Sequence, residues 1–377
     1  MEKTIPFLDL KRAYNYYGAE IEEAVIRVLR SGIYLNGEET ASLEKELANY
    51  LGVNFAVGVS SGTEALYLIL KALDPPQGSC VLLPSFTFVS TAEVIVRAGL
   101  KPIFVDIEPE TPNISIDSLV ETYKKLKLSG EKVFAVIAVS IFGIPARLQD
   151  LLEFCNEEKI FLIEDICQAF GSEVGNKKVG SFGIASATSF YPTKSLAACG
   201  DAGMVFTNNE AIYKKIKILK EHGQIAPYSY AYHGINGRID ELQCAILRVK
   251  FKHFPKEVQL RKKLAEFYFQ ELAHCPVKMF QIDIVTKPVY SLFSIRIKER
   301  DRLQQFLESK GITTKIYYPT PLHKQPIYAQ YQVGEEASLP ETERLCQEVL
   351  SLPFFPYLSV EEAKYVVEKI KEFYGVK

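Results

Sequence analysis

Between residues 54 and 207 the chain alternates two hydrophobic patterns. Short, almost unbroken apolar runs stand at 54–59 (NFAVGV), 80–83 (CVLL), 102–106 (PIFVD), 133–140 (VFAVIAVS), 160–165 (IFLIED), 185–190 (ASATSF) and 203–207 (GMVFT). Runs without polar alternation predict strands buried on both faces. Segments of helical periodicity separate them, which predicts an α/β fold with a mainly parallel sheet between helical layers. One helix is well specified. Ser61-Gly62-Thr63-Glu64 has capping-box spacing, with Ser61 as N-cap and Glu64 three positions on. Behind it Ala65, Leu68, Ile69, Ala72 and Leu73 form one apolar face, and Asp74-Pro75-Pro76 stops the helix.

Outside this region the patterns are shorter. Helical segments at 19–30 and 40–50 are expected to pack beside a second domain or a partner subunit. A charged helical stretch from Arg238 to about His274 leads into a smaller α+β domain. There, strands near 289–297 and 312–317 mix with helices near 300–309, 338–350 and 359–373. The expected division is a large domain over 1–250, including the N-terminal helices, and a small C-terminal domain over 251–377. A chain of 377 residues suits two domains, at about 150 residues each.

Composition acts mainly by exclusion. Hydrophobic content of 47% and charged content of 24% are those of an ordinary globular chain. A net charge of −2 offers no basic surface for nucleic acid. The densest basic stretch, Arg248 to Lys263 with Lys250, Lys252, Lys256, Arg261 and Lys262, reads as a solvated helical face; the alternative is attraction of a phosphorylated substrate. Seven scattered cysteines, none in C-x-x-C spacing, speak against disulfides or a zinc cluster and for a reducing cytoplasm; no metal is expected. MEKTIPFLDL lacks the apolar core of a secretory signal. The longest apolar run, Val133 to Ile144, is about half the ~20 residues of a membrane span, so a soluble protein is expected.

Three segments carry candidate chemistry. The turn Gly58-Val59-Ser60-Ser61-Gly62-Thr63 joins a predicted strand to a predicted helix. A helix N-terminus presents unpaired N–H groups and partial positive charge, which suits a phosphate dianion. Gly62 lets the backbone approach and Thr63 adds a hydroxyl. The turn equally suits a plain strand–helix connection. It also spells G-x-S-x-G, a nucleophile elbow with Ser60 as nucleophile. This motif alone does not choose.

Asp165 ends the run IFLIED, where open parallel sheets bind ligands. A carboxylate there pairs with a protonated ring nitrogen and raises its pKa, or else simply begins a loop as an N-cap. Gln168 is placed to lie over such a ring or touch its 3-oxygen. The third segment is Ser189-Phe190-Tyr191-Pro192-Thr193-Lys194-Ser195. A lysine attacks an aldehyde only when neutral, so it needs desolvated or cation-rich surroundings. Taken alone, Lys194 reads as an ordinary exposed lysine. Together, a phosphate cradle, an acid for a ring nitrogen and a lysine twenty-nine residues after that acid describe a pyridoxal-phosphate site.

An ordered set of blocks then resembles the DegT/StrS family of sugar aminotransferases, pyridoxal-phosphate enzymes with the type I, aspartate-aminotransferase fold. The resemblance runs from IPFLDL through SGIYLNGEE (31–39), SGTEAL (61–66), TFVSTA (87–92), EDICQAFG (164–171), SFYPTK (189–194), GDAG (200–203) and NGRIDELQCAIL (236–247) to YYPTPLHKQPIY (317–328). It implies that Lys194 is the Schiff-base lysine and Asp165 the partner of the pyridine nitrogen. It implies that Phe88 lies on the ring, that Gly62, Thr63 and Ser189 hold the phosphate, and that Gln168 contacts the hydroxyl edge. Asn236 would reach the neighbouring subunit's phosphate across a homodimer interface, and Tyr318 and His323 would lie on the substrate side. The chain departs from the family pattern at Ser61 and Glu64, at Ile166 and Cys167 beside the acid, at Ala202 and at Gly237.

The implied reaction is a transamination through pyridoxamine phosphate, from glutamate to a keto group of a nucleotide-linked sugar, with Lys194 as base and then acid. Glutamine at position 168 goes, within the family, with amination at C3 of a 6-deoxy sugar or of a keto-inositol; histidine or glutamate goes with C4. Two rivals are an α/β-hydrolase using Ser60 with His323 and a non-enzymatic sensor that keeps the cofactor.

Overall fold

Each of the seven apolar runs forms a strand, and together they make one sheet. In the computed structural model, which describes residues 4–331 and 338–376, these are β1 (Phe55–Val59), β2 (Cys80–Pro84), β3 (Lys101–Val105), β4 (Val133–Val139), β5 (Phe161–Asp165) and strands at Ala185–Ser189 and Gly203–Thr207. Their order across the sheet is β1, 203–207, 185–189, β5, β4, β2, β3. All run parallel except 203–207, which opposes both neighbours.

Side chains alternate across each strand. Leu82, Val136 and Leu162 therefore enter one core, while Val81, Ile137 and Ile163 enter the other. The helices before the C-terminal part are α1 (Leu10–Ser31), α2 (Glu38–Leu51), α3 (Gly62–Ala72), α4 (Ser90–Arg97), α5 (Ile116–Leu128), α6 (Leu148–Glu158), α7 (Glu210–Leu219) and α8 (Glu241–Glu271). Helices α2, α5, α6 and α8 close the first core and α3, α4 and α7 the second. Two covered faces explain why the strands carry no polar alternation. Among the described residues no helix is long and apolar enough to cross a membrane.

Ser61 caps α3 as its spacing indicates, accepting from the Glu64 amide at 3.1 Å. The reciprocal half of the box does not form, because the Glu64 carboxylate turns to Arg97. Helix α1 starts at Leu10 rather than 19. Asp9 caps it by accepting from the Lys11 amide, and its exposed first turns, with Leu10 and Tyr14, show no apolar stripe.

The C-terminal part holds α9 (Arg300–Ser309), α10 (Pro340–Glu348), α11 (Val360–Tyr374) and an antiparallel sheet ordered 278–279, 293–296, 349–352. The strand expected near 312–317 is absent: Ile312 and Lys315 make only isolated bridges, to Ile5 and Ser351. The partners in these bridges are the N-terminal arm and Val349–Leu352, a strand that the sequence pattern merged into the helix before it. Residue 250 lies inside α8, whose Cys244, Leu247 and Phe254 pack in the large core while Ala265 and Tyr268 pack in the C-terminal one.

The basic stretch on α8 is solvated in part: Lys252, Lys256 and Lys262 are exposed. Arg248 is clamped between Glu39 and Glu46, and Arg261 is 4% exposed. The helix turns most of its lysines to solvent and its arginines to packed neighbours.

One ion pair ties α1 to α11. Arg12 donates through both terminal nitrogens to Glu362 at 2.6 and 2.7 Å, and Glu362 also completes the Ser359 capping box. Arg12's hydrogen bonds hold the Glu362 carboxyl below its usual range. A carboxyl depressed in the folded state stabilises it above the unfolded pKa, and that contribution is lost as pH falls through the folded value. Arg12→Met is therefore expected to cost about 1–3 kcal/mol at neutral pH in urea melts. The gap between variant and parent should close below about pH 4; an unchanged gap there would refute the assignment.

Candidate active site

Because β1 to β5 and 185–189 run the same way, their C-terminal ends meet at one edge, where open parallel sheets bind ligands. Asp165 is the last residue of β5 and 5% exposed. Its Oδ2 accepts from Thr91 Oγ1 at 3.0 Å, and its Oδ1 accepts from the Cys167 amide at 3.1 Å. Thr87 in turn lies 3.2 Å from Thr91, oxygen to oxygen. Among the described residues the carboxylate's hydrogen bonds come from neutral donors, which is unfavourable until a cation joins it.

Opposite stands the N-terminus of α3. A Cβ on Gly62 would lie 2.7 Å from Ser189 Cβ and 3.0 Å from Cys167 Sγ. The ends of β5 and of strand 185–189 therefore press against the first turn of α3, and only glycine fits between them. Gly203 is similarly confined, with Ser61 backbone 2.3 Å from where its Cβ would stand. This brings Gly62, Thr63 and Ser189 to one helix end with unpaired N–H groups.

Lys194 follows on the turn after strand 185–189, its amide donating to the Tyr191 carbonyl at 2.9 Å. Burial pushes the Cys167 thiol well up, the Asp165 charge adds to this, and the Lys194 charge opposes it. One thiol thus feels both the acid and the lysine.

Phe88 projects from the segment after β2, 54% exposed, its ring centroid 6.4 Å from that of Tyr318. Gln168 is locked at both ends. Its Oε1 accepts from the Phe142 amide at 2.8 Å and its Nε2 donates to the Tyr318 hydroxyl at 3.3 Å. Burial raises the Tyr318 phenol, with Gln168 opposing.

Two expected residues lie elsewhere. Asn236 is exposed, on a turn whose next residue, Gly237, accepts the Ser60 amide at 3.0 Å; no hydrogen bond joins its side chain to the cluster within this chain. His323 needs correction. It is 1% exposed, with Nδ1 2.7 Å from Ser85 Oγ and Nε2 3.2 Å from Glu343. Burial lowers its pKa, with Glu343 opposing. A buried ring engaged at both nitrogens cannot receive substrate; it pins the 322–324 turn to the end of β2. The same placement removes the hydrolase pair, since His323 meets Ser85 and not Ser60.

Thr91, Thr87 and the Phe142 amide were not singled out from sequence, and Cys167 only as a departure from the family pattern. The two threonines sit four apart in TFVSTA, the spacing of one helix face, which was the available signal.

Residues 15–371 match the model of the DegT/DnrJ/EryC1/StrS aminotransferase family. The chain belongs to this family. It is 38% identical to a pleiotropic regulatory protein of Geobacillus stearothermophilus, covering 98% of each chain. It is 35% identical to the dTDP-3-amino-3,4,6-trideoxy-alpha-D-glucose transaminase of Streptomyces venezuelae, over 98% of this chain and 96% of the other. Among solved structures, S. venezuelae DesV in complex with a ketimine intermediate matches with a TM-score of 0.93 at 34% identity, over 98% of both chains. The protein is therefore an aminotransferase with the type I fold, and pyridoxal phosphate is its cofactor. Its own residues fit that group: a buried carboxylate bonded to neutral donors, a glycine-gated helix end and a lysine on the turn after the strand that packs against that end.

Proposed function

We propose that this aminotransferase moves an amino group from glutamate to C3 of a nucleotide-linked 3-keto-6-deoxy sugar, working as a homodimer with shared active sites. The observation that carries the reading is the packing of Ser189 and Cys167 on Gly62 at the α3 N-terminus, beside Asp165, with Lys194 on the turn that follows Ser189. Bound pyridoxal phosphate supplies an aldehyde that takes up the amino group and a ring that stores the electron pair released at the donor's α-carbon.

The chain's own groups do the rest. Asp165, oriented by Thr91 and the Cys167 amide, holds a proton on the ring nitrogen. Gly62, Thr63 and Ser189 receive the phosphate, and Phe88 covers the ring face. Lys194, once free, takes the proton from the donor's α-carbon and returns it on the far side of the transfer. Gln168 faces the ring's hydroxyl edge while tying it to Tyr318 on the substrate side.

Support for C3 comes from Gln168 and from the relative named for a 3-amino sugar. Turnover of 3-keto and 4-keto nucleotide sugars with glutamate, read by mass spectrometry, tests it; preference for the 4-keto set would sink the C3 assignment. A regulator on the same scaffold would keep the cofactor yet exchange no amino group with glutamate.

Support for the dimer comes from exposed apolar side chains of the 224–230 hairpin and the 33–34 segment: Ile225, Tyr228 and Tyr230 with Ile33 and Tyr34. If Asn236 completes the neighbour's phosphate site, Asn236→Asp should weaken cofactor retention by about tenfold through like-charge repulsion. Mixing that variant with Lys194→Ala should then restore activity, because each mixed dimer regains one intact site. No recovery after subunit exchange would refute sharing.

A further inference from the structure

Arg261, on α8, is a buried guanidinium that feels the Glu257 charge and lies 5.9 Å from the Phe354 ring centroid. Among the described residues its hydrogen bonds come from Nη1, donating to the Tyr290 and Ser291 carbonyls at 3.3 and 3.4 Å. Its Nε is buried with no partner among the described residues. Burial pushes the group down to about 10, the Glu257 charge opposing. A buried cation held by neutral carbonyls is unfavourable until an anion reaches it.

Arg261 lines a cavity of about 340 Å³ that also opens onto Lys194. Lys250 lines it too, two α8 positions on the same face as Arg261, and burial lowers that amine. Ser195, next to Lys194, adds a buried hydroxyl without a partner. Glu257 also lines the cavity and keeps its charge while accepting from the Tyr17 and Tyr357 phenols at 2.9 and 3.0 Å, and Asp9 is paired with Arg12. Counting Lys194 with Lys250 and Arg261, the cavity carries three positive groups against these two acids. Its size lies at the small end of ligand clefts, about 300–1,000 Å³, which suits an amino acid and not a nucleotide sugar.

We infer that this cavity receives the amino donor, an acidic amino acid with its amine at Lys194 and its far carboxylate on Arg261 and Lys250. The assignment rests on the glutamate-dependent reading above, and it adds the residues that select the donor. Arg261 gives a carboxylate a fork of N–H groups that a lysine cannot reproduce.

The test uses the full-length holoenzyme and glutarate, a dicarboxylate with no group to react. Calorimetry should show glutarate binding to the parent, and Arg261→Lys should weaken it about tenfold or more. The same variant should raise the KM for glutamate by about the same factor and move the KM for the keto sugar less than about twofold. Should Arg261→Lys fail to fold, Lys250→Met, at a half-buried position, carries the same readouts. No glutarate binding to the parent, or a folded variant with glutarate affinity and glutamate KM within about twofold of the parent, would overturn the assignment. Glutarate binding without amino exchange from any amino acid would overturn the transaminase reading and leave the cavity assigned.

Discussion

Lys194→Ala is expected to lower turnover by about four orders of magnitude or more, because it removes both the nucleophile and the proton carrier; proton transfer alone contributes about 10²–10⁴. The fold should survive. The turn that carries Lys194 is held by backbone bonds, Lys194 to Tyr191 and Ala198 to Phe190, and these do not use its side chain. The visible absorbance of the parent should shift to that of unlinked cofactor, and a small added amine should restore part of the proton transfer. Parent-like turnover, or a spectrum the same in both proteins, would remove Lys194 from the reaction.

Asp165→Asn should separate charge from shape. The amide keeps the oxygen that accepts from Thr91 or Cys167, but it loses the charge that holds a proton on the ring nitrogen. Turnover should fall about 10²–10⁴-fold. Without cofactor the effect on stability should have the opposite sign. Asp165 is 5% exposed and, among the described residues, bonded to neutral donors, so neutralising it relieves a buried charge. The cofactor-free variant should therefore melt at or above the parent's temperature, while the stabilisation on adding cofactor should shrink. A cofactor-free variant that melts lower, with full stabilisation by cofactor, would mean that Asp165 is a structural cap and not a ring partner.

The legible parts of the fold share one property. The strands and the α3 cap are set by neighbours close in sequence, so an unbroken apolar run or a serine three residues before a glutamate is enough to see them. Helix α10 and the strand 349–352 show the opposite case. The apolar run at their junction suits either state, and only pairing with Phe293–Arg296 makes Val349–Leu352 extended. The basic residues of α8 divide for a similar reason: Lys252, Lys256 and Lys262 face solvent while Arg248 and Arg261 do not. Charge along a helix says nothing of what packs against it, and here Glu39, Glu46 and the C-terminal core do so.

At the site the division is the same. Lys194, Asp165 and Gly62 are marked by local context: each sits at a strand end or a helix start, where the chemistry needs a particular residue type. Thr91 and the Phe142 amide reach Asp165 and Gln168 from 74 and 26 residues away, and His323 is taken into the core by Ser85, 238 residues off.

The amino-acid sequence alone determined which segments become buried strands, where α3 begins and which residue types can hold an aldehyde cofactor, since these depend on local propensity and burial. Tertiary structure alone decided that His323 is a pin, that Arg261 is buried against backbone carbonyls and that Cys167 packs on Gly62 beside Asp165. Such facts depend on which distant side chains the sheet order brings within a few ångströms, and local pattern does not encode that order.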